Sequence, residues 1–403
     1  VSALTSFYRD LTLKPQGFTI VVAGFLPIFA IVAMFPLVAA MIAHFHADPG
    51  AAIKVPAMVT APGYAIAILA PFAGMAVDRF GRRPLLLTCT FLYGIVGAMP
   101  FLLNDLDMII VSRVLLGVCE AGILTIVNTL IADYWNDGGR RNWLMLQGII
   151  GPAIQPPVFI IVSAIAAMQW NAGFLVYLVA FPVFVAMYFY LYEPSRSASA
   201  ATHRDQPAVG RFPLAAAAIV GVVTLLASGI YYAWIVNGSI IWKEIGLTNP
   251  MAVSQATFVP AFFILLGAFI FRYISRFSDA VQISAFLAAL GLGLAGIGLA
   301  RTVFEVQVAL AVQQTGAGMA VPALIAWAQT KFGFEHRGRG MGVWTCAFFL
   351  GQAVSPIVIG FLAETAGSMQ AAFRIIGIAA VAGGVIAIVA LPRLAASRSA
   401  AAA

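Results

Sequence analysis

The chain carries about twelve apolar stretches, each of roughly 20 residues and almost free of charge, and this repeat of span-length segments decides what it can fold into. A stretch that long crosses a bilayer as an α-helix. It is too long for a barrel strand, which needs only about 9–11 residues. Hydropathy places the spans at about 18–42, 56–77, 84–103, 108–132, 143–166, 172–192, 213–236, 252–274, 280–300, 304–330, 341–363 and 371–392. Composition agrees. Hydrophobic residues make up 62% of the chain and charged residues 9%, against roughly 25% charged in a soluble domain. Such a chain cannot cover its surface with polar groups in water, whereas in a bilayer lipid is the solvent for the outer face. The segment Val1 to Gly17 is mixed and polar and runs into a full-length apolar segment, so no cleavable signal peptide is expected.

The few charges are placed unevenly. With the N-terminus in the cytoplasm, the inside segments hold Arg9, Lys14, Arg79, Arg82, Arg83, Arg140, Arg141, Arg196, Arg204, Arg211, Arg272, Arg276, Lys331, Arg337, Arg339, Arg393 and Arg398. The outside loops and span edges hold Lys54, Lys243, Arg301 and Arg374. That bias puts both termini in the cytoplasm of a bacterial-type inner membrane. It also accounts for the net charge of +7 without a nucleic-acid partner. Cys89, Cys119 and Cys346 fall inside spans without metal-type spacing and read as small packing residues. His44 and His46, two apart on a helix, do not face one point and read as structural or solvated. No cofactor and no metal are expected.

The longest inside loop, rich in Ser, Ala and Arg, divides the chain near its midpoint. The expected organisation is a six-helix bundle over 1–192, a cytoplasmic linker over 193–212 and a second six-helix bundle over 213–403 with a short tail. The halves echo each other. Gly74-Met-Ala-Val-Asp78-Arg79 is answered by Gly267-Ala-Phe-Ile-Phe271-Arg272, and Gly151-Pro152 with Gln155-Pro156 by Gly351-Gln352 with Ser355-Pro356. Weak internal symmetry of this kind marks transporter repeats.

Three motifs carry more specific information. Gly74-Met-Ala-Val-Asp78-Arg79-Phe-Gly81-Arg82-Arg83 lies between the second and third spans. Gly74 permits close helix approach, Gly81 permits a tight turn, and Asp78 with the arginines can bridge to a neighbouring helix end. In the fourth span, Arg113-Val-Leu-Leu-Gly117-Val-Cys-Glu120 puts two ionisable residues on one helix face. Ionisable groups in a span cost about 2.5–3.5 kcal/mol each on insertion scales and mark a cavity or a partner. The fifth span carries Gly148-Ile-Ile-Gly151-Pro152.

Together these motifs resemble the major facilitator superfamily over essentially the whole length, and in pattern most nearly its drug:proton antiporter-like branch. The resemblance implies an all-α membrane protein of twelve transmembrane helices in two pseudo-symmetric six-helix bundles. It implies a monomeric secondary transporter that works by alternating access, with a small-molecule substrate, protons and membrane lipid as its partners. Gly74, Asp78, Arg79, Gly81, Arg82 and Arg83 would then form a conformational latch. Glu120 is the candidate proton site, modulated by Arg113, and a structural Glu–Arg pair is the alternative. The fifth span departs from the antiporter pattern: Pro156-Pro157 stands where Gly-Gly is usual.

Asn128, Gln147, Gln155, Tyr231, Trp234, Asn237, Gln313, Gln314, Trp344 and Gln352 are polar or aromatic residues near the middle of spans and are candidates to line a substrate cavity. Two transport modes stay open: proton-coupled export of a small, partly apolar compound, and proton-coupled uptake of an organic anion anchored by Arg113. An enzyme is not expected, for there is no Gly-x-x-x-x-Gly-Lys loop and no His-Glu-x-x-His.

Overall fold

A computed structural model describes residues 15–46, 48, 51–194, 212–247 and 250–401. The expected basic residues Arg9 and Lys14 and nearly all of the linker, 195–211, lie outside that set, as do the side chains of Pro152, Gln155, Arg393 and Arg398.

The described chain is helical, with no strand among these residues. In chain order the helices are α1 (Pro15–His44), α2 (Ala51–Phe80), α3 (Arg82–Ala98), α4 (Leu106–Tyr134), α5 (Asp137–Met168), α6 (Ala180–Tyr190), α7 (Leu214–Glu244), α8 (Pro250–Ala261), α9 (Phe263–Ile274), α10 (Asp279–Ile297), α11 (Val303–Gln329), α12 (Arg337–Ala366) and α13 (Met369–Ala401). A 3₁₀ stretch over Ala172–Val179 leads into α6. Among the described residues, 10 segments are long and apolar enough to cross a membrane. Helices α1 and α5, of 30 and 32 residues, supply two more crossings. The twelve-span reading therefore holds, each crossing centred where hydropathy puts it.

The expected span 252–274 is broken between α8 and α9, and proline explains it. Pro260 lies near the end of α8 and has no N–H to give the carbonyl of Ala256 four residues back. Gln307 of α11 fills the vacancy, donating from Nε2 to that oxygen at 3.0 Å. In lipid such a carbonyl has no water to turn to, so a side chain from a neighbouring helix is what permits the break.

Helix starts are capped both locally and from a distance. Asp105 accepts from the N–H of Met108 at the start of α4 (2.9 Å), and Asn136 from Gly139 at the start of α5 (3.2 Å). Thr302 and Glu305 form a box at the start of α11. Glu193 reaches the first two N–H groups of α3, at Arg82 and Arg83 (both 2.7 Å), and Glu244 those of α13, at Met369 and Gln370 (2.7 and 2.9 Å). Carboxylates suit these places because a helix N-terminus presents free N–H groups and the positive end of the helix dipole.

The contacts divide the chain into two compact units. One comprises Val1–Gly221 with Ala328–Phe349, the other Val222–Trp327 with Leu350–Ala403. The first unit thus takes in the end of α11 and the first part of α12. The second has its own core, in which Trp234, Trp242, Leu294, Leu310 and Phe373 pack together.

Candidate functional site

Two sets of groups in the first unit combine charge with burial: an interlock where α2, α4 and α12 meet, and an isolated acid in α4.

The interlock begins at Gly74. A methyl group there would lie 2.5 Å from the carbonyl oxygen of Gly338, so only glycine lets α2 touch α12 at this point. One turn later Asp78 meets the start of α12. It accepts from the N–H groups of Gly338 (3.1 Å) and Arg339 (3.0 Å) and from Nε of Arg339 (3.1 Å). An ionised carboxylate thus caps a helix N-terminus contributed by the other half of the sequence. Gly81 turns the chain between α2 and α3 at φ 92°, the left-handed region that favours glycine.

Behind Asp78 lies a second carboxylate that sequence reasoning did not single out. Asp133, near the end of α4, has a fully buried side chain. It takes Nε of Arg82 at 3.2 Å and Nη1 of Arg337, so a helix end of the first half and one of the second share one counter-ion. Arg82 also donates to the carbonyl of Phe334 (2.9 Å) and covers its ring. Arg83 donates to the carbonyl of Tyr188 (2.8 Å). Arg79, by contrast, is exposed beside Phe80. The sequence signal for Asp133 was present, an acid at a span end with a basic Arg337-Gly-Arg339 string elsewhere, but the pairing across some 200 residues was not readable. At the far end of α2, Lys54 bridges Asp107 (2.9 Å) and Asp48 (3.2 Å), and the hydrogen bond it donates to Asp107 is the chief cause that raises its pKa.

The acid in α4 sits differently. Arg113 is 0% exposed and Glu120 1%. They share a helix face, yet no ion pair joins them among the described residues. Arg113 donates through Nη2 to the carbonyls of Val96 (3.0 Å) and Gly97 (2.8 Å), in the last turn of α3, and through Nε to Ser112 (3.3 Å). Its guanidinium lies over the rings of Phe174 and Tyr177. A cation at a helix C-terminus is well placed, so Arg113 is held by α3 and not by Glu120. Tyr93 and Tyr177 complete the surroundings, donating to the carbonyls of Leu26 (2.6 Å) and Ala30 (3.0 Å) on α1. Glu120 Oε1 is buried without a hydrogen-bond partner.

The residues expected to line a cavity are scattered over both units. In the first unit Asn128 is buried with Oδ1 unpartnered, and its backbone oxygen accepts from Gln329 Nε2 at 2.5 Å. Gln147 lies against Gly24 of α1, and Gly151 faces Phe25 and Ile28. Gly148 is half-buried on α5. Trp344 stacks on Phe348 with its Nε1 unpartnered. In the second unit Gln313 is fully buried with both amide atoms unpartnered, Gln314 is half-buried, and Gln352 keeps a buried, unpartnered Oε1. Tyr231 meets Tyr232 edge-on. Trp234 packs edge-on to Trp242 in the core, and Asn237 bonds back to the carbonyl of Ala233 in its own helix. Both contacts help to hold α7 in place. His44 stacks on Trp170. No group of three or more His, Cys, Asp or Glu side chains is arranged to hold a metal ion among the described residues.

Comparison with known proteins agrees with this architecture. The family model described as Major Facilitator Superfamily matches residues 20–306 and 280–403. Among curated proteins, the chain is 36% identical over 93 residues to a triacylglyceride transporter of Mycobacteroides abscessus, a stretch covering 23% of this chain and 18% of that protein. It is 32% identical over 93 residues to the bacillibactin exporter of Bacillus subtilis (22% of this chain, 23% of the exporter). It is also 27% identical over 119 residues to a probable sulfoacetate transporter of Cupriavidus necator (28% and 26%). The chain thus spans only about a fifth to a quarter of the curated relatives it matches. Among solved structures, the human organic anion transporter MFSD10 superposes with a TM-score of 0.73 at 17% identity, over 93% of this chain and 100% of that one. The proton:xylose symporter XylE gives 0.72 at 13% identity, over 92% and 94%.

Proposed function

The chain belongs to the Major Facilitator Superfamily, and from that premise we propose that it is a proton-coupled exporter of a small, partly apolar compound. It works by alternating access between six-helix halves at 1–192 and 213–403, joined by the linker at 193–212, in a bacterial-type inner membrane with both termini in the cytoplasm. Membership makes it a membrane transporter. The coupling ion, the direction and the substrate class are the proposal.

The observation that carries it is the isolation of Glu120. An acid in mid-span with an unpartnered oxygen, and no ion pair at contact distance among the described residues, can exchange a proton when water reaches it. Arg113 supports export over anion uptake, because two of its three nitrogens are already committed to α3 carbonyls and Ser112. In the cycle, outside protons load Glu120 and are released to the cytoplasm, and solute takes the opposite path. The interlock of Asp78, Arg82, Asp133, Arg337 and Arg339 holds the cytoplasmic end shut during loading from outside. Asn128, Gln147, Gln313, Gln314, Trp344 and Gln352 are the cavity-lining candidates that their placement leaves available.

The test is a reconstituted vesicle loaded with a pH-sensitive dye and given a solute chosen by thermal-shift screening. Export requires proton and solute to move in opposite directions, with proton movement abolished in Glu120→Gln while solute exchange persists. Movement in the same direction, or proton flux undiminished in the variant, overturns the reading.

A further inference from the structure

The sequence from Phe334 to Ala366 forms one apolar segment of 33 residues. At about 1.5 Å per residue it exceeds the roughly 30 Å hydrocarbon layer, so one end of it projects beyond the hydrocarbon. His336 stands at that segment's start, in the short 3₁₀ turn Phe334–His336 that enters α12. Its Nδ1 lies 2.5 Å from Nη2 of Arg339, the arginine that pairs with Asp78. A guanidinium has donors and no acceptor. The contact therefore requires an unprotonated Nδ1, with the ring proton on Nε2. Phe212 closes the group from the other side: its ring covers the Arg339 guanidinium at 5.1 Å and meets the imidazole edge-on at 5.8 Å.

We propose that His336 is a second proton-binding position of this protein, one that loosens the Asp78–Arg339 interlock when the imidazole is charged. Protonation at Nδ1 replaces the acceptor by a donor. The Arg339 contact is lost, and two cations are left side by side at the joint that Asp78 caps. Histidine is the side chain whose ordinary titration falls between about pH 5 and 8. Charged groups from three helices and from the chain before it lie in this region. On α12 are Arg339 itself and Arg337, the latter committed to Asp133. On α2 is Asp78, reached through Arg339. On α3 is Arg82, bound to the carbonyl of Phe334. Along the chain before it are Glu335 and Lys331. Arg339 is in direct contact with the imidazole, so the gain of charge acts on the latch. Acid on this face then speeds the opening of the interlock without passing through Glu120.

The inference rests on reading the interlock as a latch, and one experiment separates the two. The full chain in lipid nanodiscs is followed by hydrogen exchange of the amides at 338–339, corrected for intrinsic exchange, at about pH 5.5 and about pH 7.5. Protection in the parent should fall about tenfold in acid. His336→Gln keeps a neutral acceptor for Arg339 and should stay protected at both pH values. Asp78→Asn should exchange fast at both. Equal protection of the parent at the two pH values, or an acid response that survives in His336→Gln, overturns the assignment to His336. Unaltered protection in Asp78→Asn overturns the latch itself.

Discussion

Helices α4 and α11 are the same element in the two sequence repeats, and they have gone different ways. Leu130-Ile131-Ala132 near the end of α4 recurs as Leu324-Ile325-Ala326 near the end of α11, and in that register Gly122 stands opposite Gly316. Glu120 then stands opposite Gln314, and Arg113 opposite Gln307. Both positions keep polar side chains, but the charge stays in one copy. Their duties run in parallel: Arg113 satisfies carbonyls at the end of α3, and Gln307 satisfies the carbonyl that Pro260 frees in α8. The same divergence appears at the end of the second span of each half. Asp78-Arg79 caps α12, whereas Phe271-Arg272 has a fully buried ring where the acid would be. At these matched positions the charged groups lie in the first repeat, and the second carries neutral side chains.

The largest effect that can break this comparison is expected at Asp133. Asp133→Asn leaves Arg82 and Arg337 buried without a counter-ion, and thermal unfolding should show a loss of about 3–5 kcal/mol. A loss below about 1 kcal/mol would mean that the first repeat does not depend on its charges. Next comes Asp78→Asn, which weakens charged hydrogen bonds to the start of α12. A loss of about 1.5–3 kcal/mol is expected, together with slower solute exchange at unchanged apparent affinity. The neutral repeat should be more forgiving: Gln307→Ala unsatisfies the Ala256 carbonyl and should cost about 0.6–1.7 kcal/mol in unfolding. Smallest is Glu120→Gln, which makes α4 resemble α11 at this position. Its stability should lie within about 1 kcal/mol of the parent, because an uncharged isostere replaces a group with no ion partner.

How much of this was legible in the sequence follows from the physics of each part. Span number and position were readable because a helix in lipid must be apolar along its whole crossing, and the α2–α3 motif located the joint because Gly74, Asp78 and Gly81 are constrained by local geometry. The partners of Asp78 were not readable. Gly338 and Arg339 lie some 260 residues away, and any helix N-terminus at that end would have served. Asp133 and Glu193 escaped notice for the same reason. Arg113 and Glu120 were rightly singled out as costly, but spacing on one face suggested a pair, and the α3 carbonyls won the arginine. Mid-span polar and aromatic residues such as Trp234 and Asn237 serve packing and binding alike, and their packing partners were not readable from spacing.

The central claim is that the acid in α4 exchanges a proton while its counterpart in α11 cannot. Infrared difference spectroscopy of the protein in lipid, recorded across a pH titration, observes the carbonyl stretch of a protonated carboxyl directly and needs no substrate. A carboxyl band that titrates in the parent and vanishes in Glu120→Gln is the predicted result. A parent with no such band, or a band that persists unchanged in the variant, would contradict the account.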